Sequence, residues 1–201
     1  MMRHIPIALI YLRLLIGCII FGLAFLTFDW YTALAIILFS VGLLTDVFDG
    51  IIARRLQIST QKLRRLDSGI DQIFWCLVAA SAYITCPAFF KNHVVELLVL
   101  IGFEATIYAV SFLRFKKEVA THTISSKIWT LLLFATLVQV FATCNSSVLF
   151  KVFLYVGIIT RLEIIVILFI LKKWANDVPS VYHALQLRRG KAVKRHWLFN
   201  G

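Results

Sequence analysis

The chain has 201 residues, of which 61% are apolar and 15% charged, with a formal net charge of +11. An average soluble domain is about 25% charged, so a water-soluble globule is excluded; six bilayer-crossing helices of about 20 residues would take roughly 120 positions, close to the apolar share. The surplus of Lys and Arg does not predict a nucleic-acid partner, because membrane topology concentrates the same residues in loops.

Apolar runs extend from Ile7 to Phe28, Tyr31 to Leu44, Ile70 to Phe90, Val94 to Phe112, Ile128 to Thr143 and Val148 to Leu171. They predict an all-α polytopic membrane protein with six transmembrane helices. The second run spans a bilayer only if its helix continues through Asp46 and Asp49 towards Arg54, which places an acidic cluster on a helix at the membrane boundary. Asp29, Pro87 with Lys91-Asn92-His93, and Cys144-Asn145-Ser146-Ser147 supply tight turns. The remaining connections are basic, with Arg54, Arg55, Lys62, Arg64 and Arg65 in one and Arg114, Lys116, Lys117 and Lys127 in another. The positive-inside rule puts those loops and both termini in the cytoplasm, which is the cytoplasmic membrane's inner side if the host is bacterial. Met1 to Pro6 is too short for a separate signal region, so no cleavage is expected. Residues 1–174 read as a membrane domain and 175–201 as a basic cytoplasmic tail. Cys18, Cys76, Cys86 and Cys144 show no close pairing and read as buried, inert thiols.

Four of the ten acidic residues fall between positions 46 and 71. On a helix Asp46 and Asp49 share a stripe with Ala53, and Asp67 and Asp71, at i and i+4, form a second stripe at the start of span three. Antiparallel packing of spans two and three brings the four together. Like charges so placed repel, and an ionised Asp in the bilayer centre costs roughly 2.5 to 3.5 kcal/mol. Hard divalent cations offset this: Mg²⁺ takes carboxylate oxygens and substrate phosphates, and two such ions could clamp the attacking and leaving oxygens of a phosphoryl transfer. Simple pairing of the aspartates with Arg54, Arg55, Arg64 and Arg65 accounts poorly for acids that precede the arginines inside an apolar helix.

Asp46, Asp49, Gly50, Ala53, Arg54, Leu63, Asp67 and Asp71 resemble the signature of the CDP-alcohol phosphatidyltransferases at full spacing, with Leu63 where the family has glycine. Ile5-Pro6 with Leu12-Arg13-Leu14-Leu15, and Leu66-Asp67-Ser68, are similar to the family's first and third helices. The resemblance implies a polar cavity open to the cytoplasm, two divalent cations (Mg²⁺ or Mn²⁺) on Asp46, Asp49, Asp67 and Asp71, and Asp71 as general base. It also implies a CDP site of Asp46, Gly50, Ala53 and Arg54, and a homodimer among membrane lipids. The implied reaction moves a phosphatidyl group from CDP-diacylglycerol to a polar alcohol, with release of CMP. At position 63 leucine fills space that glycine leaves free and would disfavour positive φ; a tolerated variation is the better reading, because all four aspartates are present.

Arg161, Glu163 and Glu104 are intramembrane ionisable groups and so functional candidates, with interhelical pairing as the alternative. Arg161 with Lys127 and Thr123 would suit a phosphorylated acceptor such as glycerol 3-phosphate or inositol phosphate. His122 reads as a polar cap, and Arg13, deep for a snorkelling side chain, as facing the same cavity. Two rivals remain: a transferase moving a CDP-activated headgroup onto diacylglycerol, and a divalent-cation transporter or cation-binding membrane protein. The transporter needs polar residues continuing through the bilayer, whereas the acidic cluster is confined to one side.

Overall fold

The computed structural model describes residues 5–26, 28–56, 60–117, 119, 123–175 and 178–191, the side chains of residues 54, 61, 62 and 64 excepted. Among the described residues the fold is all helical: α1 (Ile5–Leu23), α2 (Tyr31–Arg55), α3 (Gln61–Thr85), α4 (Pro87–Asn92), α5 (Val94–Phe115), α6 (Ile124–Thr143), α7 (Val148–Ile170) and α8 (Val181–Arg188). Five of these, α1, α2, α5, α6 and α7, are long and apolar enough to cross a membrane, so the chain is a multi-pass membrane protein. Large apolar side chains such as Leu113, Val148 and Phe169 point outward from them, as a lipid solvent permits. The expected third span is not among the five. Its helix has 25 residues, about 37 Å at 1.5 Å per residue, but its first three turns carry Arg64, Arg65, Asp67, Asp71 and Gln72.

Two compact units divide the chain, residues 1–91 with 137–145 and residues 92–136 with 146–201. In the first, α1, α2 and α3 pack together along buried stripes at helical spacing. Ile10, Arg13, Gly17 and Ile20 form that of α1; Ala35, Phe39, Gly42, Asp49 and Ala53 that of α2; Ile70, Phe74, Val78 and Ala82 that of α3. Phe74 sits between two glycines: a Cβ built on Gly17 would lie 3.0 Å from its Cδ2, and one on Gly42 would lie 2.8 Å from its Cε2. The α2 helix runs unbroken past Asp46 and Asp49, as expected. The turn at Pro87 differs from expectation. Cys86 caps α3 with its N–H on the Ala82 carbonyl, and Pro87, which needs no N–H partner, starts the short helix α4.

The reading of four inert, buried thiols is overturned. Cys86 and Cys144 form a disulfide across 58 residues of chain, and the free Cys18 and Cys76 are exposed rather than buried. Sequence distance hid the pair, since the end of α3 and the turn after α6 meet only in the fold. Cys86 lies 15 residues beyond Asp71 along α3, about 22 Å away, so the bond clamps the end of α3 opposite the acidic residues. A Cys86→Ser, Cys144→Ser variant is expected to lose about 2 kcal/mol, the low end of the usual disulfide range, because helices that remain inserted already restrict the unfolded chain. Thermal unfolding in detergent, with and without reductant, measures this; an unchanged midpoint would contradict the clamp.

In the second unit α7 lies against α5 through Ile164 and Leu168 on Ile107, and α8 folds onto the end of α7 through Ala184, Val178, Leu171 and Ile167. The Arg114 guanidinium donates to the Leu171 carbonyl at 3.2 Å, satisfying an acceptor that the end of α7 leaves open. Lys116, with φ of 52°, closes α5 by donating its N–H to the Phe112 carbonyl. Gly157 leaves room for Trp129, whose Nε1 would stand 2.6 Å from an added Cβ.

Candidate functional site

The acidic residues come from two helix ends with different local origins. Asp46 and Asp49 are three residues apart in the last turns of α2, and Asp67 and Asp71 four apart in the opening turns of α3, so each pair shares a face. Thr60 sets the start of α3: in extended conformation, it accepts the Leu63 N–H on its side-chain oxygen at 3.2 Å. Leu63 therefore lies in a regular helical turn and is not among the described residues with positive φ, which are Lys116, Cys144 and Gly190. The helix itself makes no demand there for glycine's backbone freedom.

Carboxylate oxygens of Asp46, Asp49 and Asp67 lie within 4.8 Å of one another. Arg13 of α1 enters this group. Its Nη1 is 2.9 Å from Asp46 Oδ1 and 3.2 Å from Asp67 Oδ1, and also touches Asp71, while its Nη2 pairs with Asp49. Arg13 and Asp49 are buried; the other three carboxylates are part-exposed, so one edge of the cluster is sealed and the other open. All donors are hard oxygens, and the four carboxylates outnumber the guanidinium that touches them. That chemistry fits a divalent cation such as Mg²⁺. Asp71 meets the same guanidinium but falls outside the three-residue oxygen group.

Of the expected CDP-binding residues, Gly50 and Ala53 follow Asp46 and Asp49 on α2, Ala53 buried on the same stripe as Asp49. The backbone of Arg54 continues that helix, but its side chain lies outside the described residues, as does His122. Arg13 was legible as a lone cation in an apolar run; its four partners were not.

The expected acceptor residues belong to the second unit and are already engaged there. The Arg161 guanidinium pairs with Glu104 at 3.1 Å, donates to the Gly157 carbonyl and lies 4.0 Å from the centre of the Trp129 ring. This is the interhelical pairing weighed against a binding role. Thr123 is fully buried and caps α6, accepting the Ser126 N–H at 3.1 Å; its hydroxyl is 2.9 Å from that of Ser125, which donates to Glu163. Lys127 is exposed on the first turn of α6.

A family model described as CDP-alcohol phosphatidyltransferase matches residues 3–169. No curated protein and no solved structure matches the chain significantly. The matched region holds α1 to α7 almost entire, with Arg13 and the four aspartates. The chain therefore belongs to the CDP-alcohol phosphatidyltransferase family, membrane-bound phosphotransferases of phospholipid biosynthesis.

Proposed function

We propose that the protein transfers a phosphatidyl group from CDP-diacylglycerol to a polar alcohol at a cytoplasmic site built on the facing ends of α2 and α3. The observation that carries this reading is that Asp46, Asp49 and Asp67 bring oxygens within 4.8 Å of one another while Asp71 meets the same guanidinium, at the basic end of those helices. On the same reading α3 is the sixth span. Its length suffices, and its polar first turns face the acidic residues of α2 within a water-accessible cavity rather than lipid. Residues 1–174 are then the catalytic membrane domain and 175–201 an appended basic segment. The disulfide at the far end of α3 suits this orientation, because disulfides persist on the oxidising side of a membrane while CDP substrates are cytoplasmic.

The Asp46, Asp49, Asp67 and Asp71 carboxylates would hold two divalent cations, which when bound neutralise the diphosphate and the leaving phosphate. Asp71 accepts the proton of the acceptor hydroxyl as its oxygen attacks the lipid-bearing phosphorus. The new P–O bond replaces the bond to CMP, which leaves with the electron pair. Gly50 and Ala53 allow the nucleotide close to α2, and Arg54 grips phosphate. For the acceptor we propose a phosphorylated alcohol, glycerol 3-phosphate or inositol phosphate, met by Lys127 and Arg161 with Thr123 holding the start of α6. Arg161 would have to share its charge with Glu104.

Purified protein supplied with CDP-diacylglycerol and either phosphorylated alcohol is expected to release CMP in Mg²⁺ or Mn²⁺ and to stop in EDTA. CMP release only from a CDP-headgroup with diacylglycerol would reassign the substrate, and release from neither pair would sink the proposal of a phosphorylated acceptor.

A further inference from the structure

Arg13 is 1% exposed, a charged side chain in the middle of an apolar helix. A guanidinium offers five N–H donors in one plane. Here Nη1 faces Asp46, Asp67 and Asp71 and Nη2 faces Asp49, while Nε is buried with no hydrogen-bond partner. The side chain thus meets every acidic residue on both stripes and leaves its remaining donor unused. It is disposed for charge rather than for saturating its own hydrogen bonds. Carboxylates this close repel, most strongly at the buried Asp49 where water screens least, so a counter-charge must hold α2 and α3 in this register whenever no cation does.

We infer that Arg13 is a positioning residue: in the metal-free protein its guanidinium is the resident counter-charge that keeps the four aspartates converged, so the donor set is assembled before a divalent cation arrives. This rests on the cation-site reading above. Guanidinium and cation then act on the same oxygens, and each relieves the same repulsion. Lysine would serve poorly, because a single ammonium on a flexible stem lacks the two separate nitrogens that reach the two sets of carboxylates.

Thermal unfolding of the full chain in detergent, in EDTA and in Mg²⁺, tests this, with Mn²⁺ binding followed by electron paramagnetic resonance. Mg²⁺ bound to the unaltered protein should raise its unfolding temperature by mass action, so each variant's loss is read against the unaltered protein in the same medium. Arg13→Gln should unfold about 5 °C lower in EDTA, a shift readable for a chain of this size, and should recover at least half of the loss in saturating Mg²⁺. Adding Asp49→Asn to Arg13→Gln should also recover part of the loss in EDTA, a coupling expected only if the lost group countered that charge. Arg13→Lys should fall between, and decides the matter by the same comparisons if Arg13→Gln cannot be purified. A loss that is equal in EDTA and Mg²⁺ and untouched by Asp49→Asn would mean packing alone, and overturn the inference, as would no loss at all. Failure of the unaltered protein to bind Mn²⁺ would instead strike the cation site, leaving the Asp49→Asn coupling in EDTA to decide the role of Arg13.

Discussion

Asp71→Asn is expected to slow CMP release about 10²- to 10⁴-fold, the span usual for loss of a general base, while Mn²⁺ binding falls only in part. Asparagine keeps the shape of the side chain but cannot take a proton at neutral pH. The oxygens of Asp46, Asp49 and Asp67 lie within 4.8 Å of one another in a group to which Asp71 does not belong, so the proposed cation site keeps those three ligands after the change. Loss of the contact between Asp71 and Arg13 leaves three others on that guanidinium. The two readouts must therefore separate: rate lost, Mn²⁺ signal largely kept. An Asp71→Asn enzyme at full rate would remove Asp71 from the base role, and equal loss of both would make it a cation ligand only.

The second large effect is structural. Gly42→Val is expected to destabilise the protein by about 1 to 3 kcal/mol, the range for forced overpacking, seen as a lowered unfolding midpoint. The Phe74 ring is 1% exposed, with Gly17 on α1 and Gly42 on α2 against it, and Phe39 nearby at 6.0 Å between ring centres. A β-branched side chain at 42 must push that ring or separate α2 from α3. Gly42 is four residues before Asp46 and seven before Asp49, so separation there also loosens the acidic residues, and activity should fall with stability. Shrinking the ring should relieve the strain: Phe74→Leu combined with Gly42→Ala is expected to unfold later than Gly42→Ala alone. A Gly42→Val protein as stable as the unaltered one would show that the ring has room to move.

Much of the site was legible because its information is local. Spacings of three and four residues put Asp46 with Asp49 and Asp67 with Asp71 on shared faces of any helix, and the need for a full span forced α2 through the first pair. The structure agrees on both counts. At Leu63 α3 has already begun, so the backbone there makes no demand for glycine.

What sequence periodicity could not reveal was which face of each helix is inside. In water an apolar stripe marks the buried side, but in lipid both faces are apolar and the stripe loses its contrast. Ile16 and Ile19 look alike in α1, yet one is buried and the other exposed. Arg13 meeting four aspartates, Phe74 wedged against two glycines and Arg161 paired with Glu104 over Trp129 all depend on that choice of face. So does the Cys86–Cys144 bond, between residues far apart in sequence. The chain by itself determined a polytopic helical membrane protein and four carboxylates on two helix ends, because composition and helical pitch suffice for both. Only the packed tertiary structure decided that those carboxylates surround the Arg13 side chain and which ends of the helices are tied, because side-chain contacts between helices have no signature in either helix alone.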